Sequence, residues 1–469
     1  MTRRVFAFSL LAISCAATSA YAMQSLDDKE LSETSGQALF NLAYTAPTGS
    51  GTGASNLDYG YYKLGLEAKI ELNANIRNLQ LGCGGANGPG ACDLDMQNVA
   101  LSGLPDSYLG DGTPVWNNGR ASSSAVMTNP FIEFAIKNPN SASTREIVGF
   151  RTSAESISGF LTAGTDNIAN PTDGIKTFSG YLQVAQTPVT AKTDPSAKFG
   201  LTRDQMIYAQ VVTDLGSRSV YSNVNGMQTN SPPSGSQWGI NVAQQTVNFN
   251  FPQTTVTGNR MSQLNLVVNN VPIPTIAIGA NDGALQVKMN EDLLWVTNST
   301  FYMGTKGVNC AGTTSSPDCS YIKNLKTNIT VKENFNLIHN LPLTGTGGYL
   351  SLQKQAMRWP GSNVDDIAQP GWWMSFAQPL DFGALNPTQT INMDDVLPQI
   401  ATFITNYLST HPINLSFGEA LSAAFGLPLY KSIGDIDVSG TPAVMTLQNL
   451  TMDNHQKVVS NCFGTLKFC

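Results

Sequence analysis

Few residues of this 469-residue chain carry charge. Lys, Arg, Asp and Glu make up 13% of it, against about 25% in ordinary soluble domains. Histidine is scarcer still, with only His339, His411 and His455. G-x-S-x-G, H-E-x-x-H, C-x-x-C, the P-loop and the dinucleotide fingerprint are all absent, which removes the commonest local signatures of hydrolases, zinc enzymes and nucleotide-binding proteins. Past the N-terminus no run of 18 apolar residues occurs, so no further membrane helix is predicted. The net charge is −7 and no Lys/Arg block offsets it. That argues against nucleic acid and anionic membranes as partners. The space is filled by Asn, Thr, Ser, Gly and Gln, the surface chemistry of many extracellular β proteins.

The N-terminus has three parts. Thr2-Arg3-Arg4 is basic, Val5 to Ala17 is mostly apolar, and Ala20-Tyr21-Ala22 is a small-x-small cleavage site. Residues 1–22 read as a secretory signal peptide, with an uncleaved anchor as the alternative. A lipoprotein reading at Cys15 is poor, because Ala12 stands where Leu is wanted. Cleavage removes Arg3 and Arg4, takes the net charge from −7 to −9 and leaves 447 of 469 residues. That length suits two or three domains or one large all-β body.

Six cysteines follow the signal peptide, in three close pairs: Cys83 and Cys92, Cys310 and Cys319, Cys462 and Cys469. In an exported chain an even count at such spacing predicts three local disulfides. No pair has the spacing of a zinc half-site. Loops of about ten residues gain roughly 2–3 kcal/mol from such a bridge, before strain.

"MQSLDDKELSETSGQ", residues 23–37, is coded as a short leader-like helix. Ser25 and Asp28 form a capping-box-like pair, and Gly36 is a stop. Its internal apolar anchors are Leu26 and Leu31 only. Leu26, Asp27, Asp28, Leu31 and Gly36 are the candidate partner-docking residues, with a plain solvated helix as the alternative. Tyr44 to Asp58 reads as loop or linker. The alternation of "LEAKIELNANIRNLQLGC", residues 66–83, predicts a half-buried strand or hairpin, and runs between Gly, Asn and Pro turns such as "FIEFAIKN" predict further strands. Strand, Cys, loop, Cys, strand recurs 227 residues apart, a possible pseudo-repeat. Residues 230–236, "NSPPSGS", are a linker or a long surface loop between β-rich regions 38–229 and 237–469. Helical spacing is confined to 394–426, where Asp394 or Asp395 caps the first helix and Ser416 with Glu419 boxes the second. The expected fold is mainly β: a large multi-stranded antiparallel sheet or sandwich body with two short C-terminal helices.

Candidate chemistry is sparse. No catalytic residue, metal set or cofactor is indicated, and each His sits in an ordinary context. Asp93-Leu94-Asp95 and Asp435-Ile436-Asp437 place paired carboxylates on strands, a pattern that is usually surface and sometimes calcium-binding. Trp359, Trp372 and Trp373 flank a Gly-, Pro- and Asp-rich loop. Exposed, they would suit a glycan or a protein partner; burial beneath the loop is the competing reading. Adjacent Trp372 and Trp373 on one strand point to opposite faces.

Leu26-Asp27-Asp28, Glu30-Leu31-Ser32 and Gly36-Gln37, with "LQLGCGG" to "ACDLDMQNVALSG" and the closing "CFGTLKFC", carry a resemblance. Over most of its length the chain resembles the Fil-type pilus-system proteins of Gram-negative bacteria. The resemblance implies a non-enzymatic role in a surface filament or its assembly, with other components of that system as partners. The opening stretch is also similar to bacteriocin leader peptides, but has Gly36-Gln37 where they carry Gly-Gly. The expected location is the cell surface or medium, or the periplasm or outer membrane. The alternatives are a carbohydrate-binding adhesin or polysaccharide-active enzyme, and an outer-membrane barrel. Against the barrel stand the disulfides, the amphipathic helices and a final Cys469 in place of an aromatic.

Overall fold

The computed structural model of the chain describes residues 40–47, 59–84, 88, 90–166, 168–194, 197–199, 203–214, 216–222, 240–242, 244–280, 286–289, 300–345, 348–452 and 457–461. Residues 1–22, the 23–37 docking stretch, residues 230–236 and the Cys462–Cys469 pair lie outside the described residues.

The fold is mainly β, and its two α-helices among the described residues lie near the C-terminus, as expected. Twelve strands form one sheet. They are β1 (Phe40–Thr45), β2 (Gly60–Leu66), β3 (Lys69–Leu72), β4 (Ala74–Leu81), β5 (Leu94–Ser102), β6 (Ala125–Lys137), β7 (Glu146–Thr162), β8 (Ile175–Val184), β9 (Thr254–Met261), β10 (Asn340–Gly345), β11 (Tyr349–Gln353) and β12 (Gly371–Leu380). Their order is β1-β2-β6-β7-β11-β12-β8-β5-β4, with β3 on β6, β10 on β7 and β9 on β8. Pairing is antiparallel except between β8 and β12, which run parallel. Parallel neighbours need a long crossover, and the chain between Val184 and Gly371 supplies it. Strands from both sides of residues 230–236 share this sheet, so 38–229 and 237–469 are not independent bodies.

The sheet closes on itself. Beyond the end of β6, β7 pairs with β5, from Ala100–Thr162 to Ser102–Phe160. The path β7-β11-β12-β8-β5 therefore returns to β7, a circuit of five strands. Strands β6, β2 and β1 project from it as a wing. Leu94, Met96, Phe178 and Leu182 belong to the principal core, where Phe178 stacks on Phe376 at 6.2 Å. Gly180 permits the close β8–β12 approach, because a Cβ there would overlap the Met374 carbonyl oxygen.

The β5–β7 seam is only three residue pairs long, and Arg120 clasps it. This buried guanidinium donates to Ser102 Oγ (2.8 Å) and Ala100 O (3.3 Å) on β5. It also donates to Thr162 Oγ1 (3.0 Å) and Phe160 O (3.2 Å) on β7. A fifth bond, at 2.6 Å, reaches Val459 O. Trp116 and Phe160 flank it, each ring 5.4 Å away. Burial lowers its pKa to about 10, so it stays charged at neutral pH.

Among the smaller sheets outside the twelve-stranded one, two three-stranded sheets and an end of a six-stranded one follow each other as a ribbon. Gln263–Pro272 and Ile276–Ile278 run antiparallel to Lys326–Asn334 and Ser320–Lys323. The C-terminal strands Leu429–Lys431, Asp435–Asp437 and Ala443–Gln448 lie parallel to Thr300–Met303, Ser320–Lys323 and Lys326–Asn334. Helix α1 (Leu397–Thr410) buries Leu397, Ile400, Ala401, Ile404 and Leu408. Its N-cap is Val396 and not Asp394 or Asp395; Pro398, tolerated in the first turn, is the second helical residue. Helix α2 (Phe417–Ala424) has the expected Ser416–Glu419 capping box. The stretch 66–83, expected as a half-buried strand or hairpin, breaks at Asn73, with β3 on β6 and β4 on β5.

Two disulfides form as predicted, Cys83–Cys92 and Cys310–Cys319. The first closes the β4–β5 hairpin, beyond the Leu81–Leu94 pair. The second encloses a loop whose flanking strands meet only at the Gly304–Cys319 bridge. The two halves of the pseudo-repeat thus share a disulfide loop but not a hairpin.

Two measurements probe this frame. Arg120→Lys keeps the charge and loses the planar fork, so it should lower unfolding stability in urea by about 3 kcal/mol, given that bonds to charged groups contribute roughly 1.5–3 each. A change below about 1 kcal/mol would show that the seam holds without the clasp. The second concerns Glu333, buried in the ribbon with Oε2 accepting from Leu450 N at 3.1 Å. Burial raises its pKa from 4.5 to about 8. The folded chain therefore holds this proton where the unfolded chain has lost it. Stability from this group is full below pH 4.5, declines above it and is gone above about 8. Glu333→Gln should flatten that decline in melting temperature. An unchanged slope would place the titration elsewhere.

Candidate functional site

Strand alternation sets up the wing. Even-numbered residues of β1, β2 and β6 face one side, and pairing aligns them into rows. Tyr44 lies opposite Tyr62, then Phe134, Phe150, Leu352 and Trp372 follow across six strands. Leu42, Leu64, Ile132, Thr152, Leu350 and Met374 form the next row. Phe40 opposite Leu66 begins a third. Ring centroids are 4.5 Å apart for Tyr44–Tyr62, 6.5 Å for Phe134–Phe150 and 6.0 Å for Phe150–Trp372. Gly60 leaves space for the Tyr44 ring, which a Cβ would meet at 3.0 Å.

These side chains are apolar and still exposed. Leu42 is 77% exposed, Phe40 62%, Leu64 47% and Ile132 44%. Scattered apolar residues on a surface are ordinary, but a contiguous apolar face marks an interaction site. At its inner end the second row meets a cavity of about 300 Å³, whose walls include Thr152, Leu350, Met374, Leu343 and Phe376. At its outer end stands β1, exposed along its whole length and, among the described residues, paired on one side only.

Inward of β1, the opposite face of β2, β6 and β7 packs against residues 354–370. Arg151 on β7 and Glu133 on β6 form a buried ion pair at 2.7 Å. Arg151 also donates to Pro360 O at 2.7 Å and lies 5.2 Å from the Trp359 ring. Asp366 is fully enclosed and accepts from Trp373 Nε1 (3.1 Å) and Ser375 Oγ (2.6 Å). Burial raises its pKa, against the pull of these donors. Tyr61 donates to Arg358 O at 2.9 Å, and burial pushes its hydroxyl well up. Arg151, Tyr61, Trp373 and Ser375 each tie the covering loop to the strands.

The three tryptophans therefore part company. Trp359 and Trp373 are buried in one cluster with Tyr61, Tyr181 and Tyr349, so neither presents a ring face to a sugar. Trp372 points the other way and ends the aromatic row, half-buried. The carboxylate pairs are also engaged. Asp93 accepts from Trp372 N at 3.0 Å and Asp95 from Gln80 at 3.3 Å. Asp435 pairs with Lys323 at 2.7 Å, and Asp437 accepts from Asn324 at 3.0 Å. His339 is buried, with Nδ1 3.0 Å from Ala163 O, and burial lowers its pKa. Among the described residues no cluster of His, Cys, Asp or Glu is arranged to hold a metal.

Sequence reading missed the face because it placed Tyr44 at the start of a loop. Phe40, Leu42 and Tyr44 alternate with Asn41, Ala43 and Thr45, and that period of two was the available signal.

A face of this kind should bind anilinonaphthalene sulfonate in the native state. Leu64→Ser with Ile132→Ser should cut that fluorescence at least about twofold and leave the melting temperature within ~3 °C. Undiminished fluorescence would move the apolar site elsewhere.

No known protein-family model, curated protein or solved structure matches the chain.

Proposed function

We propose that this chain is an exported, non-enzymatic scaffold that works by assembling with other proteins of a bacterial surface-filament system. One observation carries the reading: two apolar rows run across the wing and end on an edge strand that, among the described residues, is paired on one side only. Two short disulfides suit an oxidising compartment. No helix among the described residues is long and apolar enough to cross a membrane. The Fil-type resemblance supplies the filament context. The glycan reading draws on Trp372 alone, since its two companions are enclosed.

Immunogold labelling of whole cells tests the proposal. The wild-type chain should label the cell surface. The Leu64→Ser, Ile132→Ser variant should be produced, exported and folded, yet lose most of that label. Equal labelling by both would remove the face from assembly, and a chain confined to the periplasm in both cases would remove the surface role.

A further inference from the structure

We infer that the edge of β1 left unpaired among the described residues takes the β1 strand of a second copy of this chain, antiparallel, about a twofold axis at Leu42. The inference deepens the assembly reading, on which it rests for the use of the apolar face.

The edge decides the class of occupant. A strand with one unpaired side offers backbone N–H and C=O groups. Lipid cannot satisfy them, so an open edge is excluded from hydrocarbon. The rows beside it carry no charged side chain and no amide, only Tyr and Thr hydroxyls and the Trp372 indole N–H. A sugar needs several placed polar groups. A polypeptide strand satisfies the backbone and extends the rows.

The sequence of β1 then selects a second copy. Natural edges are usually blunted by Lys, Pro or a bulge. Phe40–Thr45 contains no Lys or Pro, and its pairing with β2 runs through all six positions without a register shift. No charged residue occurs between Glu33 and Asp58, in a chain whose net charge is −7. Neutrality matters at a twofold axis, where every side chain near the axis meets its own copy and any charge would oppose itself.

The register is self-complementary. With Leu42 opposite Leu42 of the second copy, Phe40 lies opposite Tyr44 and Asn41 opposite Ala43. Aromatic meets aromatic and aliphatic meets aliphatic, pairs that stabilise antiparallel sheets. A twofold axis perpendicular to the sheet also keeps both apolar faces on one side, so the rows run on from one copy into the next. A slip of one residue would set Phe40 against Thr45 and turn the second face over. Six residues of pairing are short of a standard interface of roughly 1,600 Å², so the dimer is expected to be weak and concentration-dependent.

Cysteine cross-linking reads both pairing and register. Directly opposed Cα atoms in an antiparallel pair are about 4.5–5.5 Å apart, within disulfide reach. In the proposed register the two copies of residue 43 are offset along the strands, roughly 8 Å apart. Under mild oxidation Leu42→Cys should give a covalent dimer about tenfold faster than Ala43→Cys. The high exposure of Leu42 makes loss of folding a minor concern, and circular dichroism checks it. Sedimentation of the wild-type chain should show a reversible dimer up to ~200 µM, with Leu42→Lys monomeric. Equal cross-linking at both positions would overturn the register. A wild-type monomer with no Leu42→Cys dimer would overturn the second copy, and flotation of that monomer with lipid vesicles would assign the face to a membrane. Species larger than a dimer would replace the closed twofold by head-to-tail addition and overturn it too. If instead the cross-link forms but the Leu64→Ser, Ile132→Ser variant labels the cell surface normally, the assembly reading fails and the dimer stands.

Discussion

The fold depends on a cation held in its interior that pairs, among the described residues, with no carboxylate. Arg120 directs five hydrogen bonds at oxygens of Ser102, Ala100, Thr162, Phe160 and Val459. Taking a guanidinium out of water is costly, and the lowered pKa records part of that cost. Full use of the fork offsets it. Three of the five oxygens are backbone carbonyls, which fix positions and not only side chains. The three-pair seam between β5 and β7 would otherwise be the weakest joint in the circuit. With the seam held, β7 becomes a fixed rail, and β6, β2 and β1 can extend from it with, among the described residues, no second layer over their apolar face.

The two faces of that wing solve different problems. One is closed by residues 354–370, with a buried ion pair, an enclosed carboxyl and two indoles. Such a layer is weak evidence for added stability, but it fixes which loop lies there and how. The other face has no ion pair, no covering loop among the described residues, and its largest side chains half in water. Burying those side chains would contribute roughly 1.5–3 kcal/mol each when complete, a gain the isolated chain leaves unrealised.

Much of the architecture was legible in the sequence where the signals are local. The 3.6-residue spacing of Ile400, Ile404 and Leu408 marked α1, and Ser416 with Glu419 marked the start of α2. Cysteine spacing foretold both described disulfides. Adjacent Trp372 and Trp373 separated to opposite faces as strand geometry requires. What stayed hidden is non-local. Nothing near Gly180 says that its neighbour is Met374, or that the neighbour runs parallel. Arg120 reads as an ordinary residue in a turn until the oxygens of two distant strands surround it. The candidate face was lost because each of its strands is short and gains its meaning only from the next.

The C-terminal strands have a consequence in time. Ala443–Gln448 completes the ribbon beside Lys326–Asn334, and Val459 supplies the last oxygen to Arg120 across 339 positions. Contacts of such long range are slow to form. A nascent chain with most of its length made would still lack a ribbon edge and part of its clasp. The closed body is therefore reached only once residues 443–459 have been made, so the last strands to be synthesised set when the whole frame can form.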